Sequence, residues 1–413
     1  MKKRYFHITL ASALMMLVTF TATAQVGPDT RPMSSEGLTV FEAPKGDLTE
    51  FNGLQVYWGA AFTQQFQALS HENSGTVPLL DLGNGFNLAT ANLNMGAHLA
   101  EGITVAVESY WSSQHHPEAW VKGGYLQVNS LGMLGVDSID NLFEYITIRA
   151  GHFEINYGDA HFRRTDNGNA LYNPFIGNMI MDSFATEIGA DVTIQKDGMF
   201  GVIGVTSGEI KGAIDRPDDR APAFIGKVGF DRQMNEDLRF RLSGSVYTTS
   251  KSLNNTLYSG DRAGTRYYDV MVEERGDSFR NGRVNPGFRS EVTAIQVNPM
   301  VVFQGFELHG LYETATGAAA NEDDTRTVDQ IAVDAIYRMD NVYFGARYNQ
   351  VSGDFSGQTD VTVDRIQIGG GWFLTENVLL KAIYTQQNFN DFNGGIYEEG
   401  TFNGITIEGV VAF

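Results

Sequence analysis

Apolar and polar positions alternate with a period of two along most of this chain. The last ten residues, GITIEGVVAF, place Phe413, Val411, Ile407 and Ile405 on one face with Gly409, and Ala412, Val410, Glu408, Thr406 and Gly404 on the other. That alternation marks a β-strand with one greasy and one wet side. The same rhythm runs through LQVYWGAAF, ITVAVESYW, LRFRLSGSVY, VYFGARYN and RIQIGGGWF. It predicts about sixteen strands, at 53–66, 86–99, 103–112, 119–130, 144–156, 185–195, 199–208, 223–231, 238–250, 290–303, 306–316, 328–339, 342–351, 362–374, 377–387 and 402–413. Most are near or a little above the ~9–11 residues that a tilted strand needs to cross a bilayer.

The connections alternate as well. One set is mostly tight (100–102, 196–198, 304–305, 340–341, 375–377) and the other mostly long and polar (67–85, 157–184, 209–222, 251–289, 317–327, 352–361, 388–401). Short turns on one side and long loops on the other are the asymmetry of a transmembrane antiparallel β-barrel, with short periplasmic turns and long extracellular loops. With an even strand count both termini fall on the periplasmic side. Lipid then covers the greasy faces, and the last strand closes against the first, because an open edge in hydrocarbon would leave backbone groups unpaired. Trp58, Trp111, Trp372, Tyr337, Tyr348 and Phe413 take lipid-facing parities, several near strand ends where aromatic girdles lie. Two stretches fit less well. In 119–130, turning Leu126 and Val128 outward also turns Lys122 outward, where it is expected to snorkel or to sit above the bilayer. The connection 131–143 is long for a periplasmic turn and is expected to hold a short helix.

The N-terminus, MKKRYFHITLASALMMLVTFTATAQ, has a basic start, an apolar run from Ile8 to Phe20, and small residues at Ala22 and Ala24. It reads as a signal peptide over 1–24, followed by a periplasmic segment 25–52 and the barrel 53–413. The chain carries a formal charge of −20, or −23 without Lys2, Lys3 and Arg4. That charge argues against nucleic-acid partners. With no cysteine, disulfides and thiolate metal sites are excluded.

The wet parity carries Glu108, Arg149, Glu187, Asp191, Lys227, Arg239, Arg241, Glu307, Asp334, Arg338, Arg347, Arg365, Lys381 and Glu408. Such side chains cannot form a dry core at acceptable cost, so a water-filled interior is expected. The loop 157–184 mixes charge with an apolar stretch from Pro174 to Met181. Folded inward, it would set Met179 and Met181 against the wall and present Arg163, Arg164 and Asp166 to the lumen as a constriction that selects ions by charge. Candidate pore-lining residues are therefore Arg149, Arg163, Arg164, Asp166, Arg347, Arg365, Arg241, Glu108 and Asp191. The competing reading pairs Arg163 and Arg164 with Asp159 and Asp166 on a surface loop. A second basic loop, 251–289, holds Arg262, Arg266, Arg275, Arg280, Arg283 and Arg289 among Tyr258, Tyr267 and Tyr268, and could fold over the mouth.

ITIRAGHFEINYG (146–158) resembles the strand-five region of the phosphate-selective porin O and P family, through Arg149, Gly151 and Phe153 of an R-x-G-x-F strand that runs toward a pore-folding loop. The resemblance implies a sixteen-stranded porin with Arg149 near the constriction and basic wall residues that conduct anions, phosphate among them. This chain departs by mixing Glu and Asp among the wall arginines and by lacking a lysine run in 157–184. The terminal strand ending in Phe413 also resembles the signature that Gram-negative barrel-assembly machinery recognises, which implies export to the outer membrane. Porins of this kind commonly form homotrimers.

The reading that results is an outer-membrane porin passing small hydrophilic solutes or ions, with no cofactor. Two alternatives stay open. A barrel plugged by its loops or by 25–52 would serve adhesion or surface binding. An outer-membrane hydrolase would need a base beside a nucleophile, for which His98, His152 and His309 are candidates, with only His98 and His309 inward by pattern. His115-His116 and the acidic loops 320–327 and 390–400 lack metal-site spacing.

Overall fold

The computed structural model describes residues 27, 30–43, 45–46, 48–113, 118–259, 268–274 and 280–413. The signal-peptide segment, His115-His116, Arg262, Arg266, Tyr267 and Arg275 lie outside the described residues.

Sixteen strands form one closed antiparallel barrel. They are β1 (Gln55–Glu72), β2 (Gly85–Ala100), β3 (Ile103–Ser112), β4 (Trp120–Val128), β5 (Ile146–Glu154), β6 (Thr186–Lys196), β7 (Met199–Thr206), β8 (Ala223–Gln233), β9 (Leu238–Thr249), β10 (Glu291–Phe303), β11 (Phe306–Ala318), β12 (Arg326–Met339), β13 (Val342–Phe355), β14 (Gln358–Thr375), β15 (Val378–Asn390) and β16 (Gly400–Ala412). Every strand pairs with its sequence neighbours, and β16 closes on β1 from Ala412↔Ala61 to Thr401↔Glu72. Phe413 extends that seam, its N–H donating to Ala60 O (2.9 Å) and its carbonyl accepting from Ala60 N (2.6 Å). No edge is left, as hydrocarbon requires.

The lipid face follows the alternation. Trp58, Phe62, Trp111, Tyr337, Tyr348, Trp372 and Phe413 are all exposed on the outside. On β12–β15 the outward apolar run ends at Tyr348 and Tyr384; beyond them the same parity carries Gln350, Asp364 and Asn388, with Asp364 accepting from Asn388 Nδ2 at 2.9 Å. Aromatic residues at the border of an apolar band are the girdle arrangement of membrane barrels.

Two local expectations need correction. Lys122 points inward, because a β-bulge at Glu108/Ser109 shifts the register so that Val121 pairs with Ser109 and Gly123 with Glu108. The extra residue reverses the parity above it, leaving Val121 outside and Lys122 buried. The connection between β13 and β14 is a tight turn rather than a long loop, since Phe355 pairs with Gln358 across Ser356 and Gly357. The 131–143 connection does hold helix, at Gly132–Leu134 and Asp137–Phe143.

Among the described residues, three segments enter the lumen: the connection after β5, the connection after β9, which packs on it from the long-loop end, and Thr30 to Leu48, which pack on it from the short-turn end. The two loops share an apolar core in which Tyr157, Ile180, Met181, Leu257, Tyr258, Tyr268 and Val284 are buried together.

Candidate pore constriction

The loop after β5 makes a circuit of the wall, and each contact uses a wet-parity side chain. Tyr157 donates to Glu313 of β11 (3.1 Å). The Asp159 amide donates to Asn298 of β10 (2.9 Å), and its carboxylate accepts from Arg241 of β9 (2.7 and 2.8 Å). Gly168 lies against β1 and β2: its carbonyl accepts from Thr63 Oγ1 (2.5 Å) and its N–H donates to Asn92 Oδ1 (3.1 Å). A Cβ there would stand 2.6 Å from Ala61 O, so only glycine allows this approach. Lys381 of β15 donates to the carbonyls of Ala170, Asn173 and Phe175 (3.0–3.2 Å) and pairs with Glu408 (2.6 Å). The Ile180 and Met181 amides donate to Asn349 and Gln330. The expected inward fold of 157–184 is therefore present, with Met181 against the wall.

The second loop also turns inward. Tyr268 donates to Ile176 O (2.5 Å), Val284 N to Ile180 O (2.9 Å), and Arg365 of β14 reaches Asn178 O (2.5 Å) and Gly282 O (2.7 Å), bracing one loop against the other.

The N-terminal segment packs beneath them. Arg31 stacks on Tyr172 at 3.6 Å and donates to Phe162 O (2.6 Å). Phe41 meets Phe162 edge-on (5.6 Å) and sits under the Arg241 guanidinium (4.2 Å). Glu42 bridges Lys227 and Arg241, each at 2.9 Å. Burial alone would raise the Glu42 pKa, but Lys227 and Arg241 outweigh it, against opposition from Asp159, and hold the carboxyl well below its ordinary value of 4.5. A group whose folded-state pKa is depressed contributes stability above its unfolded value and loses it as pH falls through the folded one. The segment is thus expected to stay seated above pH 4.5 and to loosen progressively below it. Limited proteolysis across that range checks this; cleavage near Glu42 that is no faster in acid than at neutrality contradicts it.

A cavity of about 320 Å³ lies between the N-terminal segment and the wall of β2–β6. Arg149 reaches into it, held by Asp191 (3.1 and 2.5 Å) and lying over Phe153 (4.7 Å). Gly151 makes this packing possible at φ +138°, since a Cβ would meet Gly124 O at 2.5 Å. Across from Arg149, Glu108 receives Lys122 Nζ at 2.7 Å, and Lys122 also pairs with Asp166. Glu108 and Glu154 are about one-third exposed, the most open carboxylates of this group.

The nine sequence-designated residues separate by location. Glu108, Arg149, Arg164 and Asp166 line the cavity, with Asp191 behind Arg149. Arg164 is clasped by Asp182 (3.1 and 2.6 Å) and approaches Asp166 at 3.5 Å, which is part of the pairing expected for a surface loop, here inside the barrel. Arg163 lies between Asp334 (3.5 Å) and Glu307 (3.9 Å). Arg241, Arg347 and Arg365 are buried behind the loops: Arg347, forked onto Asp334 (2.6 and 2.7 Å), borders with Arg163 a small cavity of about 40 Å³ beside β10–β13, and Arg365 is fully enclosed. Sequence reading missed Glu154, Lys122 as an inward cation, and Glu42. Only the bulge reveals Lys122, and no local pattern marks Glu42. His98 packs on Phe51, His309 faces Glu307 at 3.4 Å, and His152 faces Thr186 Oγ1 at 3.0 Å, in three separate places.

Solved structures share this architecture. An anion-selective porin from Comamonas acidovorans superposes with a TM-score of 0.54 at 12% identity, over 87% of this chain and 100% of that one. OmpT, an outer-membrane protein of Vibrio cholerae, gives 0.51 at 12% identity over 89% and 100%. OprB of Pseudomonas putida gives 0.50 at 9% identity over 87% and 94%. The fold is that of outer-membrane porins. No family model matches the chain, and no curated protein matches it.

Proposed function

We propose that this chain, exported behind its N-terminal leader, is an outer-membrane channel for passive diffusion of small hydrophilic solutes or ions. The observation that carries the reading is the cavity beside β2–β6, which the inward loops leave open and whose lining carries the charged side chains of Arg149, Glu108 and Glu154. A wall of paired charges suits transit: each charge is neutralised locally, so a passing ion meets a modest field rather than a deep trap. The same pairing argues against a phosphate-specific arginine ladder, because Asp191, Asp182 and Asp334 each occupy an arginine. Lipid around the apolar band, barrel-assembly machinery at the strand ending in Phe413, and a homotrimer complete the reading.

Planar-bilayer conductance of the refolded mature protein tests it. Stepwise openings are expected, and silence from correctly folded protein sinks the channel. Arg149→Ala leaves the Asp191 carboxylate facing the cavity and is expected to shift the reversal potential under a salt gradient toward cation preference. Glu108→Gln is expected to shift it the opposite way. An unchanged potential in both places the ion path elsewhere.

A further inference from the structure

The ion cluster at β8–β9 balances only with a residue that does not belong to the wall. Lys227, Arg239 and Arg241 face three carboxylates: Asp159 of the inward loop, Asp231 of β8, and Glu42 of the N-terminal segment. Remove Glu42 and three cations face two acids, although Lys227 and Arg241 are fully enclosed in the seated state. Such an excess of buried charge is costly unless an anion replaces it. The Glu42 carboxylate is held as a bound ligand would be. Oε1 accepts from Lys227 Nζ (2.9 Å) and Asn156 Nδ2 (3.1 Å), and Oε2 lies 2.9 Å from Arg241 Nη1. Three buried donors converging on one carboxylate form a receptor for that group. The segment bearing it takes no part in strand pairing.

We propose that Lys227, Arg241 and Asn156 form a receptor for small oxyanions such as a carboxylate or phosphate, and that the N-terminal segment occupies it through Glu42 as a built-in competitor. A solute anion that takes the receptor releases the segment, because the two cannot share the same donors. Release also widens the passage, since Arg31, Met33 and Phe41 of the segment line the cavity. That second consequence rests on the channel reading; the receptor itself does not.

The chain has no cysteine, so a single reporter thiol is unambiguous. Ser34 is buried in the seated segment, and Ser34→Cys, with Thr39→Cys as a second reporter should the first misfold, is placed in the full-length protein in lipid vesicles. The readout is the rate of modification by a water-soluble thiol reagent, with sodium phosphate or acetate titrated against sodium chloride at constant ionic strength. The rate is expected to rise saturably, on the order of tenfold, and Glu42→Gln is expected to reach the raised rate without added oxyanion. An oxyanion effect no larger than that of chloride, or equal rates with and without the Glu42 carboxylate, overturns the receptor. Silent bilayers alongside oxyanion-dependent thiol reactivity overturn the channel and leave the receptor standing.

Discussion

Lys381→Ala is expected to destabilise the barrel by about 3–5 kcal/mol, because it strands a buried carboxylate and removes an anchor of the inward loop after β5. Lys381 and Glu408 are both fully enclosed on neighbouring strands, 2.6 Å apart, and the ammonium also holds three loop carbonyls. Glu408 is left without its cation, and the carbonyls of Ala170, Asn173 and Phe175 lose their donor. Reversible urea unfolding in lipid vesicles measures the loss. A double change, Lys381→Met with Glu408→Gln, removes the stranded charge but not the loss of anchorage. It is expected to recover much of the stability while the loop stays loose, seen as noisier single-channel current. Recovery of both together would place the anchorage elsewhere, at Asn349 and Gln330.

Replacing Asn169–Gly177 with a short Gly-Ser link is expected to raise single-channel conductance several-fold, since this stretch carries apolar mass into the lumen. Leu171, Phe175 and Ile176 are buried within the barrel, packed with Tyr343, Phe373 and Leu379 of the wall. The flanking ties at Tyr157, Asp159, Ile180 and Met181 remain, so the barrel is expected to fold. An unchanged conductance would show that the loop after β9, lying above, sets the limit instead.

Much of the architecture was legible in the chain because a membrane barrel writes its constraint locally. A strand with lipid on one side and a polar lumen on the other must alternate, and sixteen such runs, with aromatic residues at their ends, gave the strand count and the lipid-facing parity. The parity also identified Arg149, Glu108, Lys381 and Glu408 as inward. Where one residue breaks the count the pattern misleads: the bulge at Glu108/Ser109 turned Lys122 from a snorkelling cation into the partner of Glu108 and Asp166. The turn at Ser356–Gly357 was hidden because its flanking strands rise beyond the bilayer, where the outward face is already polar.

The alternating sequence by itself determined a closed sixteen-stranded barrel, its lipid face and the charged character of its lumen. Tertiary structure alone decided which of those charges still meet water. Arg241, Arg347 and Arg365 share the wet parity of Arg149, yet loop segments distant in sequence cover them, and Glu42 closes the β8–β9 cluster from about 200 residues away. Strand periodicity reports only the face on which a side chain lies. What fills the space in front of that face depends on contacts between segments that share no local pattern, and those exist only once the barrel has closed around them.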